Sequence, residues 1–128
     1  MTLLGGGSLT SDTPIEMDLL SQIVRDVNNK YGTNFTDQDR IIADKLTQRL
    51  IQDKELGGSI SNNGRDVAKV KFDEIFEKEL VDMVNNHFDF YQKVNTDRDT
   101  HRYFKDRIFD LVYRNSITER KNVKTEVV

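Results

Sequence analysis

A chain of 128 residues with a formal net charge of −3, no cysteine and two histidines has room for one hydrophobic core. It lacks the residues for a disulfide framework, a thiol nucleophile or a Cys/His zinc site, and its acidic balance argues against a freestanding nucleic-acid binder. Hydrophobic residues at 36% make a thin core, yet seven Phe and four Tyr supply the large apolar bodies that a disordered chain lacks.

Residues 1–10 contain Gly5-Gly6-Gly7-Ser8, a flexible composition that reads as an added linker and is set apart from the fold. Over residues 18–31 the apolar positions Leu19, Leu20, Ile23, Val24, Val27 and Tyr31 recur at helical spacing, and Gly32 stands where a left-handed cap would stop the helix. Thr36-Asp37-Gln38-Asp39 has the form of a capping box and predicts a second helix over 37–54. Gly57-Gly58-Ser59 and Asn62-Asn63-Gly64 then predict a mobile loop.

From 65 to 95 the set Phe72, Ile75, Phe76, Leu80, Met83, Val84, Phe88, Tyr91 and Val94 drifts around a helix axis and predicts a long central third helix, or two collinear ones. Thr96-Asp97-Arg98-Asp99 repeats the cap and opens a fourth helix to about 115, with Phe104, Ile108, Leu111 and Val112 inward. The expectation is an all-α domain over 11–115, with about four helices around one core and a polar, basic tail over 116–128. No window has the run of about 18 apolar residues that spans a bilayer, and no signal peptide opens the chain, which predicts a soluble cytoplasmic protein without a membrane partner.

Catalytic patterns are missing where the chemistry would demand them. A phosphate-cradling loop needs a Gly-Lys pair, and the chain has none. Metal-dependent nucleases gather carboxylates and a Lys at a strand edge, and Pro14 is followed by no matching Asp/Glu-X-Lys. The acidic run Asp73, Glu74, Glu77, Glu79 and Asp82 reads better as a solvated helix face than as a metal cluster. His87 falls within the apolar arc and reads as a hydrogen-bonded core histidine, while His101, near Asp97 and Asp99, reads as local electrostatics. The sequence therefore predicts no catalytic residue, no metal ligand and no cofactor of its own.

One resemblance spans residues 19–114. It rests on Leu20-Ser21-Gln22-Ile23-Val24, Asn29-Lys30-Tyr31-Gly32-Thr33-Asn34-Phe35 and Thr36-Asp37-Gln38-Asp39. It continues through Asn63, Phe72-Asp73, Phe76, Leu80, Tyr91-Gln92-Lys93, Phe104 and Val112-Tyr113-Arg114. In that order and spacing the chain resembles the C-terminal helical domain of the motor (R) subunit of type I restriction–modification enzymes, type IC group. The resemblance implies a non-catalytic assembly and DNA-guiding domain. In such enzymes the endonuclease and the ATP- and Mg2+-dependent translocase lie in N-terminal parts of the subunit. Its partners would be the methyltransferase core and double-stranded DNA, the latter held weakly by this domain alone. The rival expectation is a freestanding helical adaptor with no DNA role, and a small hydrolase is a distant third.

Helical stepping then nominates contact residues. On the second helix Ile42, Ala43, Leu46 and Leu50 share a stripe, while Ile41 and Ile51 project off it and are candidates for partner docking, unless a neighbouring helix covers them. Arg98, Arg102 and Lys105 form one basic stripe on the fourth helix, and Arg107 and Arg114 another, with Asp99, Asp106 and Asp110 expected at the centre of the outer face. These five basic residues, with Lys45 and Arg49 on the second helix, are the DNA-contact candidates. The alternative is that their stems lie along the core while the charged heads reach water.

Overall fold

At Gly32 the backbone swings to φ +68°, a conformation that costs a residue without a Cβ little, and the first helix stops there as its sequence predicts. The computed structural model describes residues 12–127, with side chains from 19 to 116, and contains no strand among them. Its helices are α1 (Asp12–Tyr31), α2 (Asp37–Gln52), α3 (Lys54–Asn62), α4 (Arg65–Asp82), α5 (Phe88–Val94) and α6 (Arg98–Val127). The all-α class holds, with six helices in place of about four. The linker expected over residues 1–10 lies outside the described residues.

The joint between α1 and α2 is organised by one amide. Asn28 donates from Nδ2 to the Phe35 carbonyl at 3.0 Å, while its Oδ1 accepts from the Phe35 N–H at 2.9 Å and from the Thr33 hydroxyl at 2.8 Å. That clamp drives Phe35 into the core, where it is 5% exposed. The predicted capping box is present. The Thr36 hydroxyl accepts from the Asp39 N–H at 3.2 Å, and the Asp39 carboxylate accepts from the Thr36 N–H at 2.8 Å.

Four departures from the sequence reading have local causes. First, the glycine-rich stretch is a helix, α3, because the Asp53 carboxylate caps it by accepting from the Leu56 N–H at 2.8 Å, and because Leu56 and Ile60 are buried. Those gains outweigh a penalty of roughly 1 kcal/mol for each of Gly57 and Gly58. Second, of the two readings of the third segment, one long helix or two, the chain takes two. Met83 and Val84 donate to the carbonyls three residues back, a tightened last turn, and a turn over 83–86 separates α4 from α5. The break shifts the apolar register, so that Phe88 is exposed and Phe90 is fully buried.

Third, the cap of α6 lies one residue later than Thr96. The Thr96 hydroxyl turns back to the Lys93 carbonyl at 2.8 Å, and the Asp97 carboxylate accepts from the Thr100 N–H at 2.8 Å. That bond holds the Asp97 pKa below the ordinary carboxylate value. Fourth, α1 begins six residues earlier than expected and α6 continues to Val127, across the segment read as a tail.

The central helix is α6, not the third segment, for it packs against each of the other five. Thr100, Phe104, Ile108, Phe109, Leu111 and Val112 are its buried residues, an arc about half the circumference wide. Phe35 stacks on Phe104 with centroids 5.5 Å apart, and Phe90 meets both rings edge-on. Phe72 joins Phe76 and Phe109 in a second aromatic group beneath α4.

Candidate nucleic-acid interface

The basic residues nominated from sequence divide into two groups once the packing of α6 is known. Its polar flank lies against α4 in an antiparallel ladder. His101 and Lys105 meet Glu77, Lys69 joins Asp73 to Asp106, and Arg65 reaches Asp110, so partners on α6 rise in number as those on α4 fall. Arg65 also lies over the rings of Phe109 and Tyr113, at 4.8 and 4.9 Å from their centroids. Asp106 and Asp110, expected at the centre of the outer face, are therefore turned to α4 and neutralised by Lys69 and Arg65. Burial opposes the charge on Lys69, but bonds to Asp106 and Asp73 outweigh it and raise its pKa above the ordinary lysine value.

Lys105 belongs to this ladder, 3.1 Å from Glu77 with its side chain largely covered. Arg107 points to the opposite flank, where it donates to Asp26 on α1 at 2.9 Å and to the Tyr103 hydroxyl at 2.7 Å. Burial works against its charge, and the interactions with Asp26 and Tyr103 together more than restore it, so its pKa stands above the ordinary arginine value. Arg49 on α2 reaches Glu79 at 3.1 Å while remaining 61% exposed. Arg98, Arg102, Arg114 and Lys45 are exposed and make no ion pair among the described residues. Arg98 and Arg102 stand one turn apart at the positive end of a thirty-residue helix, with Asp99 beside them.

The docking candidates separate as well. Ile51 packs against the core, whereas Ile41 is 38% exposed. A larger apolar feature is missing from the sequence reading. Val67 and Val70 on α4, 53% and 62% exposed, line a groove of about 540 Å³ with Gly58, Ser59, Asn62 and Asn63 of the α3 end. Lys71 bridges Glu55 and Glu74 along its rim. Stepping α4 from its buried residues Ala68, Phe72 and Phe76 would have placed both valines outward, and this was the available signal.

The histidines are placed differently from expectation. His87 sits in the turn before α5, half-buried and outside any helical arc. His101 faces neither Asp97 nor Asp99. Its Nδ1 is 2.9 Å from the Asn95 side-chain oxygen Oδ1 and its Nε2 is 2.5 Å from Glu77. The acidic run is likewise more than a solvated face, since Asp73, Glu74, Glu77 and Glu79 each hold a cation. Among the described residues no group of three or more His, Cys, Asp or Glu could hold a metal ion. None of the described helices is long and apolar enough to cross a membrane. No family model matches the chain, and no match to it is found among curated proteins or solved structures.

Proposed function

We propose that the chain is a non-catalytic assembly and DNA-guiding domain of a type I restriction motor subunit, as its resemblance over residues 19–114 implies. The observation that carries the DNA half is the sorting of charge on α6. Asp106 and Asp110 are paired to α4, and Arg98 and Arg102 are left exposed at its start. Two exposed cations without ion pairs, with Asp106 and Asp110 further along the helix engaged by α4, suit lateral contact with phosphates, a sequence-independent interaction, even with the exposed Asp97 and Asp99 beside them. Lys105 and Arg107 serve the fold in this reading, and Arg114 and Lys45 extend the exposed basic set. ATP, Mg2+ and nuclease chemistry belong to other parts of such a subunit. Docking to the methyltransferase core falls to Ile41 and to the Val67–Val70 groove.

Duplex binding measured against salt concentration, with the subunit carrying Arg98→Glu and Arg102→Glu, tests this. The expected result is weaker binding to every sequence, with the salt slope reduced by about one unit per lost phosphate contact. Val70→Asp should impair docking and spare DNA binding. The exposed valine groove also favours a second reading, a helical adaptor without a DNA role. Charge reversals that leave DNA binding unchanged, together with a docking defect in Val70→Asp, would establish the adaptor instead.

A further inference from the structure

Asn63-Gly64 is the one Asn-Gly pair in the sequence, and it forms the joint between α3 and α4. Both residues are exposed, and both have extended backbones, with φ −127° and ψ 171° at Asn63 and φ −74° and ψ 169° at Gly64. The Gly64 N–H has no acceptor among the described residues. The Asn63 amide nitrogen is held only by a long contact of 3.4 Å to the Ser59 hydroxyl. We infer that Asn63 is a site of spontaneous deamidation, the position at which this chain converts an amide to a carboxylate as it ages.

The chemistry needs a nucleophile, an electrophile and room. The Gly64 backbone nitrogen attacks the Asn63 side-chain carbonyl carbon, forming a five-membered imide. The Cγ–Nδ2 bond breaks, and the nitrogen leaves as ammonia with the proton given up by the attacking N–H. Water then adds to one of the two imide carbonyls, giving aspartate or, with the chain routed through the side chain, isoaspartate. A glycine nitrogen has no Cβ beside it to obstruct the approach. Rotation about the Asn63 Cα–C bond brings the reacting atoms together, and no helical hydrogen bond crosses that bond to prevent it.

The other asparagines lack one of these conditions. Asn28 is clamped by three hydrogen bonds, and Asn95 is bonded to Tyr91 and His101. Asn115 lies within α6, and Asn86 lies in a turn but precedes His87 rather than glycine.

The product lands in a consequential place. Asn63 lines the Val67–Val70 groove beside Lys71, so conversion adds a negative charge to that surface. The new carboxylate also stands next to the first turn of α4, whose N-cap Gly64 offers no side-chain acceptor, and the positive end of the helix favours it there. Aspartate is therefore tolerated by the fold, whereas isoaspartate inserts a methylene into the α3–α4 joint.

The test is to incubate the whole chain at mildly alkaline pH, following ammonia release and mapping peptides by mass. Asn63 should convert first, into both products, with Asn86 and Asn115 lagging. Gly64→Ala is the discriminating variant. An added Cβ meets nothing within 4 Å, and the φ of −74° suits alanine, so circular dichroism should be unchanged while conversion slows by about tenfold or more. Intact Asn63 in a sample where Asn86 has converted would overturn the inference. Equal conversion rates in the parent chain and a correctly folded Gly64→Ala would do the same.

Discussion

Two polar regions hold this molecule together on different terms. Along α4 and α6, the ladder from Arg65–Asp110 to His101–Glu77 runs over the surface, and most of its carboxylates keep a third to a half of their side-chain area in water. At the start of α2, by contrast, Asp39 is 4% exposed in its side chain and accepts from Lys93 of α5 at 2.6 Å. The same carboxylate completes the capping box with Thr36. Burial opposes the Lys93 charge, and the bonds to Asp39 and Asp89 outweigh it, so the pKa of Lys93 stands above the ordinary lysine value. The ladder spreads modest attractions over many groups and tolerates losing any one. The Asp39 node concentrates three bonds on one carboxylate out of water, where a missing partner leaves a charge uncompensated.

The largest test of that contrast is Asp39→Ala. It strips the cap and leaves the largely covered Lys93 with only the exposed Asp89, and should cost about 3 kcal/mol in denaturant unfolding. Combining it with Lys93→Met should recover part of that loss, because the covered charge that has lost its buried partner goes too. Next comes Lys105→Ala, which removes one rung while His101 stays on Glu77. Its expected cost is under about 1 kcal/mol and should shrink further as salt is added. A cost equal to that of Asp39→Ala would break the distinction between buried and exposed charge.

The smallest expected effect is one of pH. Burial tends to raise the Glu77 pKa, but its bonds to His101 and Lys105 overcome this and hold it below the ordinary glutamate value of 4.5. A carboxylate so lowered stabilises the fold above its unfolded pKa, and that stability is lost as pH falls through the folded value. Glu77→Gln should therefore flatten the acid side of the stability profile below about pH 4.5 and change its alkaline side little.

Much of this was legible because it is local. Gly32, the Thr36–Asp39 box and the apolar faces of α1 and α2 can be read from residues no more than four apart. The companion role of Asp39 cannot, since Lys93 lies 54 positions away and only the fold brings them together. Periodicity allowed one helix or two over 65–95 but did not locate the break at 83–87, because apolar residues continue at helical spacing on both sides of it. Asn85-Asn86 was the weak local sign. Gly57 and Gly58 misled for the opposite reason, as a local penalty was overridden by the Asp53 cap and by burial of Leu56 and Ile60. For the candidate interface, residue types identified every basic side chain but not which would be engaged internally. That depended on the side of α6 that α4 covers, which set Lys105 and Asp106 against Glu77 and Lys69.

The short helix α5 shows what such borrowing means for the whole. Seven residues are too few to remain helical in water, since helices shorter than about 12 residues are marginal even with good formers. Its order comes from α2 through Lys93, from α6 through the Asn95–His101 contact, and from the aromatic group around Phe90. It acts as a keystone, shaped by the elements it locks, so the domain has no sub-piece that could be trimmed at this point and keep its form.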